Sequence, residues 1–220
     1  MKRRDFAINS VAAASLATLP LASLAQKRKD AVVLGMTLEP TAGLDPTASA
    51  ASAIAEIVLY NIFETLTKIN SDGSVTPLLA ESWEVSPDLK TYTFKLRKGV
   101  KFQNGEPFNA STVKFSFERA AGEKSTNKDK RTFASMERVG VVDEHTVVVI
   151  NKELNPDFLF LMGQATAILV EPKSADTNAT KPVGTGPYKL ESWNKGASVT
   201  LAKWPEYRNA AAIKMNKATF

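Results

Sequence analysis

Hydrophobic residues along this chain switch repeatedly between the two-residue period of a strand and the longer period of a helix. The run "AVVLGMTLEP", residues 31 to 40, is rich in Val and Leu and halted by Pro40, which predicts a buried strand. A turn-rich loop, "TAGLDPTA", follows it. From Ser49 to Lys68 the apolar residues Ala51, Ile54, Val58, Ile62 and Leu66 recur at helical spacing, with Ile57 and Leu59 widening the stripe, and predict a helix packed into a core. Asp72-Gly73 then breaks the pattern. Trp83 and Val85 alternate with Glu84, and Tyr92, Phe94 and Leu96 alternate with Thr93, Lys95 and Arg97, on either side of Ser86-Pro87-Asp88. That spacing predicts an antiparallel hairpin with one buried face.

Further along, "VKFQNGEPF" predicts a short strand with a turn at Asn104-Gly105. Asn109 stands as an N-cap before a helix in which Val113, Phe117, Ala120 and Ala121 share a face. "VGVVDEHTVVVIN" reads as a second hairpin turning at Asp143-Glu144, and "YKLESWNKGASVTLA" as a third turning at Lys195-Gly196. Between these two lie a short apolar helix within Pro156 to Met162 and a strand near Ile168 to Val170. The class is mixed α/β (α+β), without internal repeats or low-complexity tracts.

The first 25 residues stand apart. Lys2-Arg3-Arg4 forms a cationic start, a weakly apolar stretch follows, and Ser23 and Ala25 place small residues at the −3 and −1 positions of a cut before Gln26. Asn9, Ser10, Ser15, Thr18, Pro20 and Ser23 interrupt a segment that would need about 20 mostly apolar residues to span a bilayer, so export is favoured over anchoring. Arg3-Arg4-Asp5-Phe6 resembles a twin-arginine export motif, with Lys2 in place of the usual Ser or Thr before the pair. The segment carries three positive charges and one negative, so its removal takes the formal net charge from +5 to +3. A balance this mild, with no Lys/Arg stripe interleaved with aromatics, argues against a nucleic-acid partner. "QKRKD" and "EKSTNKDKR" read as a solvated arm and a solvated loop. The absence of cysteine excludes a disulfide, a thiolate metal site and a lipidated mature N-terminus.

"KPVGTGPYKLESW", Lys181 to Trp193, is the stretch that most invites a nucleotide reading. A phosphate loop needs Lys and then Ser or Thr after the second glycine, so that an ammonium reaches the phosphates and a hydroxyl reaches magnesium. Pro187 and Tyr188 stand there instead, and a strand follows where a dinucleotide fingerprint needs a helix. Gly184 and Gly186 therefore read as permitting positive φ or close backbone approach, with Pro182 and Pro187 stiffening the exits. Catalytic constellations are equally poor. His145 is the lone histidine, beside a hairpin turn, and without a second His or any Cys the commonest zinc sets are missing. Glu81, Glu84, Asp143 and Glu144 fall on hairpin arms or turns as solvent-facing charges. Ser111 and Ser116 lack a nucleophile elbow. No enzyme, no cofactor and no metal is expected.

Three segments carry a family resemblance: "VTPLLAESWEVSPDLKTYTFKLRKGVKFQNGEPFNASTVKFSFERA", "VGVVDEHTVVVI" and "PVGTGPYKLESW". In that order they resemble the peptide/nickel (family 5) solute-binding proteins of ABC importers. The resemblance implies the first lobe of a two-lobed architecture of the periplasmic-binding-protein type II kind, with the second lobe absent. Residues 26–69 and 181–220 would form parts of a main subdomain and residues 70–180 a small one. Gly184, Gly186, Pro187 and Tyr188 would mark the return from the small subdomain to the main one. It further implies a periplasmic location, a peptide or similar small solute as ligand, and ABC permease subunits as partners. The chain stops at "NKATF", about where a strand would cross to the other lobe, so an N-terminal fragment or truncated product is expected. The alternative is a single-lobe interaction or chaperone-like module.

Ligands of α/β lobes sit outside the carboxyl ends of strands. That rule points to Thr37, Leu38 and Glu39 after the first strand, with Leu44 and Asp45 on the loop behind them; Gln164 is a second candidate beyond the run ending at Met162. Export itself is directly testable. Mass spectrometry of a periplasmic fraction should find the mature chain beginning at or next to Gln26, and recovery of only the intact Met1 form from the cytoplasm would refute the export reading.

Overall fold

Residues 30–49 and 51–220 are described in the computed structural model, so the export segment and its cleavage site lie outside the described residues. The run predicted as a buried strand from residue 31 to 40 forms only β1 (Ala31–Val33), and Val33 is 80% exposed. β1 is a sheet edge, where one face and one side meet solvent, so an apolar run alone did not report its burial. α1 (Ser52–Val58) keeps Ile54, Ile57 and Val58 in the core but ends far short of Lys68. Leu59 turns extended at φ −68°, ψ 128°, and Tyr60 takes φ 60°. The Tyr60 hydroxyl donates to Gly163 O at 2.8 Å and accepts from Ile69 N at 2.9 Å, so long-range bonds overrule the local helical period here. Ile62 and Leu66 are fully buried all the same.

β2 (Thr67–Ile69) and β3 (Val75–Pro77) form a small antiparallel ribbon around the Asp72-Gly73 turn. β4 (Ala80–Val85) and β5 (Thr91–Leu96) make the expected hairpin, in register Trp83 to Phe94 and Val85 to Tyr92. Tyr92, Phe94 and Leu96 are buried; Trp83 packs partly against them, whereas Val85, at the strand's end, is 37% exposed rather than buried. The Asn104-Gly105 turn forms, but its flanks make a single Lys101–Pro107 bridge in place of a strand pair. α2 (Ala110–Ala121) begins as its cap predicts: Asn109 Oδ1 accepts from Thr112 N, and Thr112 Oγ1 accepts from Asn109 N.

The charged loop before α3 (Lys130–Ala134) is not merely solvated, because Asn127, buried, donates to Thr166 O at 2.9 Å. β6 (Met136–Asp143) and β7 (Thr146–Asn151) then complete an antiparallel sheet of order β4-β5-β7-β6. α4 (Phe158–Leu161) sets Phe158 against Tyr92, ring centroids 4.5 Å apart. The strand predicted at Ile168 to Val170 is absent: these buried residues follow a 3-10 turn at Ala165–Ala167, and Leu169 N donates to the loop carbonyl of Glu64 instead of to a strand. A Glu64 loop cannot continue a ladder, so the segment stays extended without becoming sheet.

β8 (Tyr188–Asn194) and β9 (Ser198–Lys203) form the third hairpin, with Gly196 at φ 77° in its turn. β10 (Lys217–Thr219) closes a second four-stranded sheet of order β1-β10-β9-β8, in which β1 and β10 run parallel with Val33 opposite Thr219. One core gathers under the β4-β5-β7-β6 sheet around Phe94, Phe117 and Phe158; the other gathers around Leu44, Ile54, Phe63 and Leu201. Among the described residues no helix is long and apolar enough to cross a membrane. Phe94, at 0% exposure, tests the first core. Phe94→Ala should cost about 3–5 kcal/mol, read as a lowered urea midpoint; an unchanged midpoint would remove the hairpin from the core.

Candidate functional site

Beyond Val33 the chain leaves the sheet. Leu34 N still donates to Thr219 O at 2.8 Å, and residues 35 to 40 then fold back over the β8–β9 turn. Between them opens a cavity of about 450 Å³, walled by Leu34, Thr37, Leu38, Glu39, Trp193 and Phe220 among others. The Glu39 carboxylate ties its two sides together: Oε1 accepts from Gly196 N at 2.6 Å. Thr37, Leu38 and Glu39 are all exposed at this wall, as the strand-end rule anticipates.

Leu44 and Asp45 are not part of it. Leu44 is fully buried in the second core, and Asp45, 3% exposed, accepts at Oδ2 from Arg119 Nη2 at 3.1 Å and at Oδ1 from Thr47 N and Oγ1. A carboxylate desolvated to that degree is held in place by its partners and unavailable to a solute. Gln164 is half-buried at the start of the Ala165–Ala167 turn and does not line the cavity. The structure thus brings together three of the residues singled out after the first strand, and it separates the others from them.

The Gly184-Thr185-Gly186 loop is a site of close approach. Neither glycine has positive φ. A Cβ on Gly184 would stand 1.9 Å from Ile62 O, and one on Gly186 2.3 Å from Asn61 O, far inside contact distance. Backbone lies directly on backbone here: Gly186 N donates to Ile62 O and Tyr188 N to Asn61 O, both at 2.9 Å. Gln103 Nε2 donates to Gly186 O at 3.1 Å and Tyr188 O at 2.6 Å from the other side. Pro187 O accepts from Trp204 N at 2.7 Å.

Sequence reasoning missed the charge beside this crossing. Glu64, 1% exposed, accepts from Arg208 Nη1 and Nη2, each at 2.6 Å, from Tyr207 Oη at 3.1 Å and from Thr185 Oγ1 at 2.9 Å. Burial, and then the Glu64 carboxylate, push the Tyr207 phenol up to about 12, so it is a fixed donor at physiological pH. One signal was available: Glu64 is a lone charge inside the apolar run "IVLYNIFETL", and a charge in such a run needs a partner. Two of the groups weighed for catalysis make structural bonds. Ser116 Oγ donates to Thr112 O and accepts from Val170 N, and Asp143 Oδ1 accepts from the backbone N–H of His145, half-buried in the β6–β7 turn. That bond, with the nearby Thr146 hydroxyl, holds the Asp143 carboxyl below its ordinary range.

A sheet whose parallel strands open at their carboxyl ends onto a cavity presents the place where ligands of α/β lobes sit. The comparisons agree. Residues 74–220 match the family model of bacterial extracellular solute-binding proteins, family 5 Middle. The glutathione-binding protein GsiB of Escherichia coli is 30% identical over 216 residues, which is 96% of this chain and 42% of that protein. The structure of Haemophilus influenzae OppA in complex with the peptide RPPGFSPFR is similar at TM-score 0.80 and 26% identity, covering 88% of this chain and 42% of that one. That of MoaA from A. tumefacien in complex with mannopinic acid is similar at TM-score 0.77 and 30% identity, covering 87% and 40%. The chain belongs to the family 5 bacterial extracellular solute-binding proteins, and it spans about two fifths of the length of the relatives it matches.

The Glu64 cluster yields a stability prediction. Arg208→Met leaves a buried carboxylate without its countercharge and should cost about 3–5 kcal/mol. Adding Glu64→Leu should recover a large part of that loss. A double variant no more stable than Arg208→Met, measured by urea denaturation, would show that the ion pair is not what the single change removes.

Proposed function

We propose that this chain supplies one wall of the solute site of an ABC importer's periplasmic binding component, which captures a peptide or similar small solute and hands it to membrane permease subunits. The observation that carries the reading is where the cavity opens: β1 and β10, the parallel pair, run out together at Val33-Leu34 and Thr219-Phe220, and all four residues line it. Carboxyl ends of strands are where ligands of such lobes sit. Family membership supports the same reading, as do relatives named for binding glutathione and crystallised with a peptide. Solute contacts are assigned to Thr37, Leu38 and Glu39, with Leu44 and Asp45 as their buried support.

In this reading residues 26–69 and 181–220 form the main subdomain and residues 70–180 the small one, with Gly184, Gly186, Pro187 and Tyr188 at the return between them. The two cores follow that division only in part: Leu66 joins the core around Phe94, and Ile168, Val170 and Ala175 join the core around Leu44. Export to the periplasm is supported by the N-terminal segment.

Gly35 offers a clean test, since it lines the cavity and a Cβ built there meets nothing within 4 Å. Gly35→Trp should fill the cavity without altering the denaturation midpoint. In the unsubstituted chain, peptide at about millimolar concentration should shift the Gly196 and Trp193 resonances, and Gly35→Trp should abolish those shifts. Retention of those shifts in the filled variant would move solute binding away from this cavity.

A further inference from the structure

Charge in the cavity wall is of one sign. Glu39 is the one ionisable side chain among the lining residues, and no Lys or Arg among the described residues lies within salt-bridge distance of it. Gly196 N–H holds Oε1 at 2.6 Å, which fixes the carboxylate in the wall while its second oxygen has no hydrogen-bond partner among the described residues. A carboxylate positioned by one backbone donor is an acceptor set for a charge-assisted bond. Trp193, also in the wall, has a cation of the chain itself at its ring: Lys195 Nζ lies 5.2 Å from the ring centroid, so the attraction for a solute cation rests on Glu39. The rest of the wall nearby is apolar, with Leu34, Leu38, Met36 and Phe220 offering carbon surface.

We propose that this cavity takes the cationic end of its solute, an ammonium or guanidinium nitrogen, with Glu39 as the specificity-determining countercharge and the apolar wall covering the attached carbon chain. The proposal rests on the solute-binding reading of the cavity. A carboxylate end placed beside Glu39 would meet a like charge. Glu39 matters for selection more than for shape: its contact with Gly196 needs only a carbonyl oxygen, which a glutamine supplies equally.

The test is an NMR titration of the chain and of Glu39→Gln, following Gly196 and Trp193, with three probes of similar size: Ala-Leu-Ala amide, its N-acetylated form, and N-acetyl-Ala-Leu-Lys amide. The first carries a terminal ammonium, the second no charge, and the third a side-chain ammonium. Either charged probe should bind about three- to tenfold more tightly than the neutral one, as a partly exposed ion pair allows, and Glu39→Gln should erase the difference. The charged probe that gains more identifies whether the terminus or the side chain is the group taken. Equal binding of all three, or a preference that survives Glu39→Gln, overturns the proposal while leaving solute binding at the cavity intact. If no probe moves Gly196 or Trp193, the proposal falls together with the binding reading on which it rests. Unchanged resonances elsewhere in Glu39→Gln show that the variant is folded.

Discussion

One crossing of backbone over backbone underlies the arrangement of this chain. At Gly184 and Gly186 the polypeptide lies so close on Asn61 and Ile62 that no side chain fits between them. Two main-chain hydrogen bonds lock the contact, and Gln103 clamps it from outside. Because strand β8 begins two residues after Gly186, the position of the crossing sets where the third hairpin starts and hence where its turn lies against residues 35 to 40. Glycine is required here by proximity, a need separate from the positive φ that Gly196 meets in the hairpin turn.

The crossing also explains a buried charge. Glu64 follows Ile62 and Phe63 into the interior, where an unpaired carboxylate would be expensive. Thr185, from the crossing loop itself, donates to it, and Arg208 and Tyr207 reach it from the connection between β9 and β10. That connection is thereby pinned to the crossing before it delivers β10 to its place beside β1. A run of dependence links the two glycines to Glu64, Glu64 to Arg208, and Arg208 to the parallel strand pair at which the cavity opens. Asp45 and Arg119 do similar work, joining the loop behind the wall to α2. Each pair is a device for position more than for stability, since burying charge costs about as much as pairing it returns.

What could be read from the sequence follows from the range of the interactions involved. The three hairpins were legible because both strands of each, and the turn between them, lie within one short stretch, so alternation and turn residues agree. The Asn109 cap was legible for the same reason. The helix predicted to Lys68 was overextended because Tyr60 is held at positive φ by Gly163 and Ile69, and no window around Tyr60 contains Gly163. Ile168 to Val170 has the composition of a strand but lacks a strand to pair with. Of the candidate site, Thr37 to Glu39 could be found from the end of the first strand, whereas Trp193, Gly196 and Phe220 join the wall only through the sheet order β1-β10-β9-β8. Leu44, on the loop behind the wall, faces the core, and proximity in sequence to the wall does not decide which way a loop residue faces.

The cavity combines an anchored floor with an open rim, and that pairing is what binding asks for. Leu34 N–H bonds to Thr219 and Glu39 bonds to Gly196, so both sides of the wall are held without a solute. A wall already held loses little freedom when a ligand arrives, and the association cost falls accordingly. The rim is correspondingly exposed, with Val33 at 80% and Leu38 at 59%. Apolar groups at a sheet edge invite non-native pairing. Here the hazard is contained by a strand of three residues, by Pro40, and by the Glu39 charge, all within the same segment. The Glu39 carboxylate proposed to meet a cation at the wall therefore also sets a charge near the exposed edge, a feature that discourages pairing with another chain.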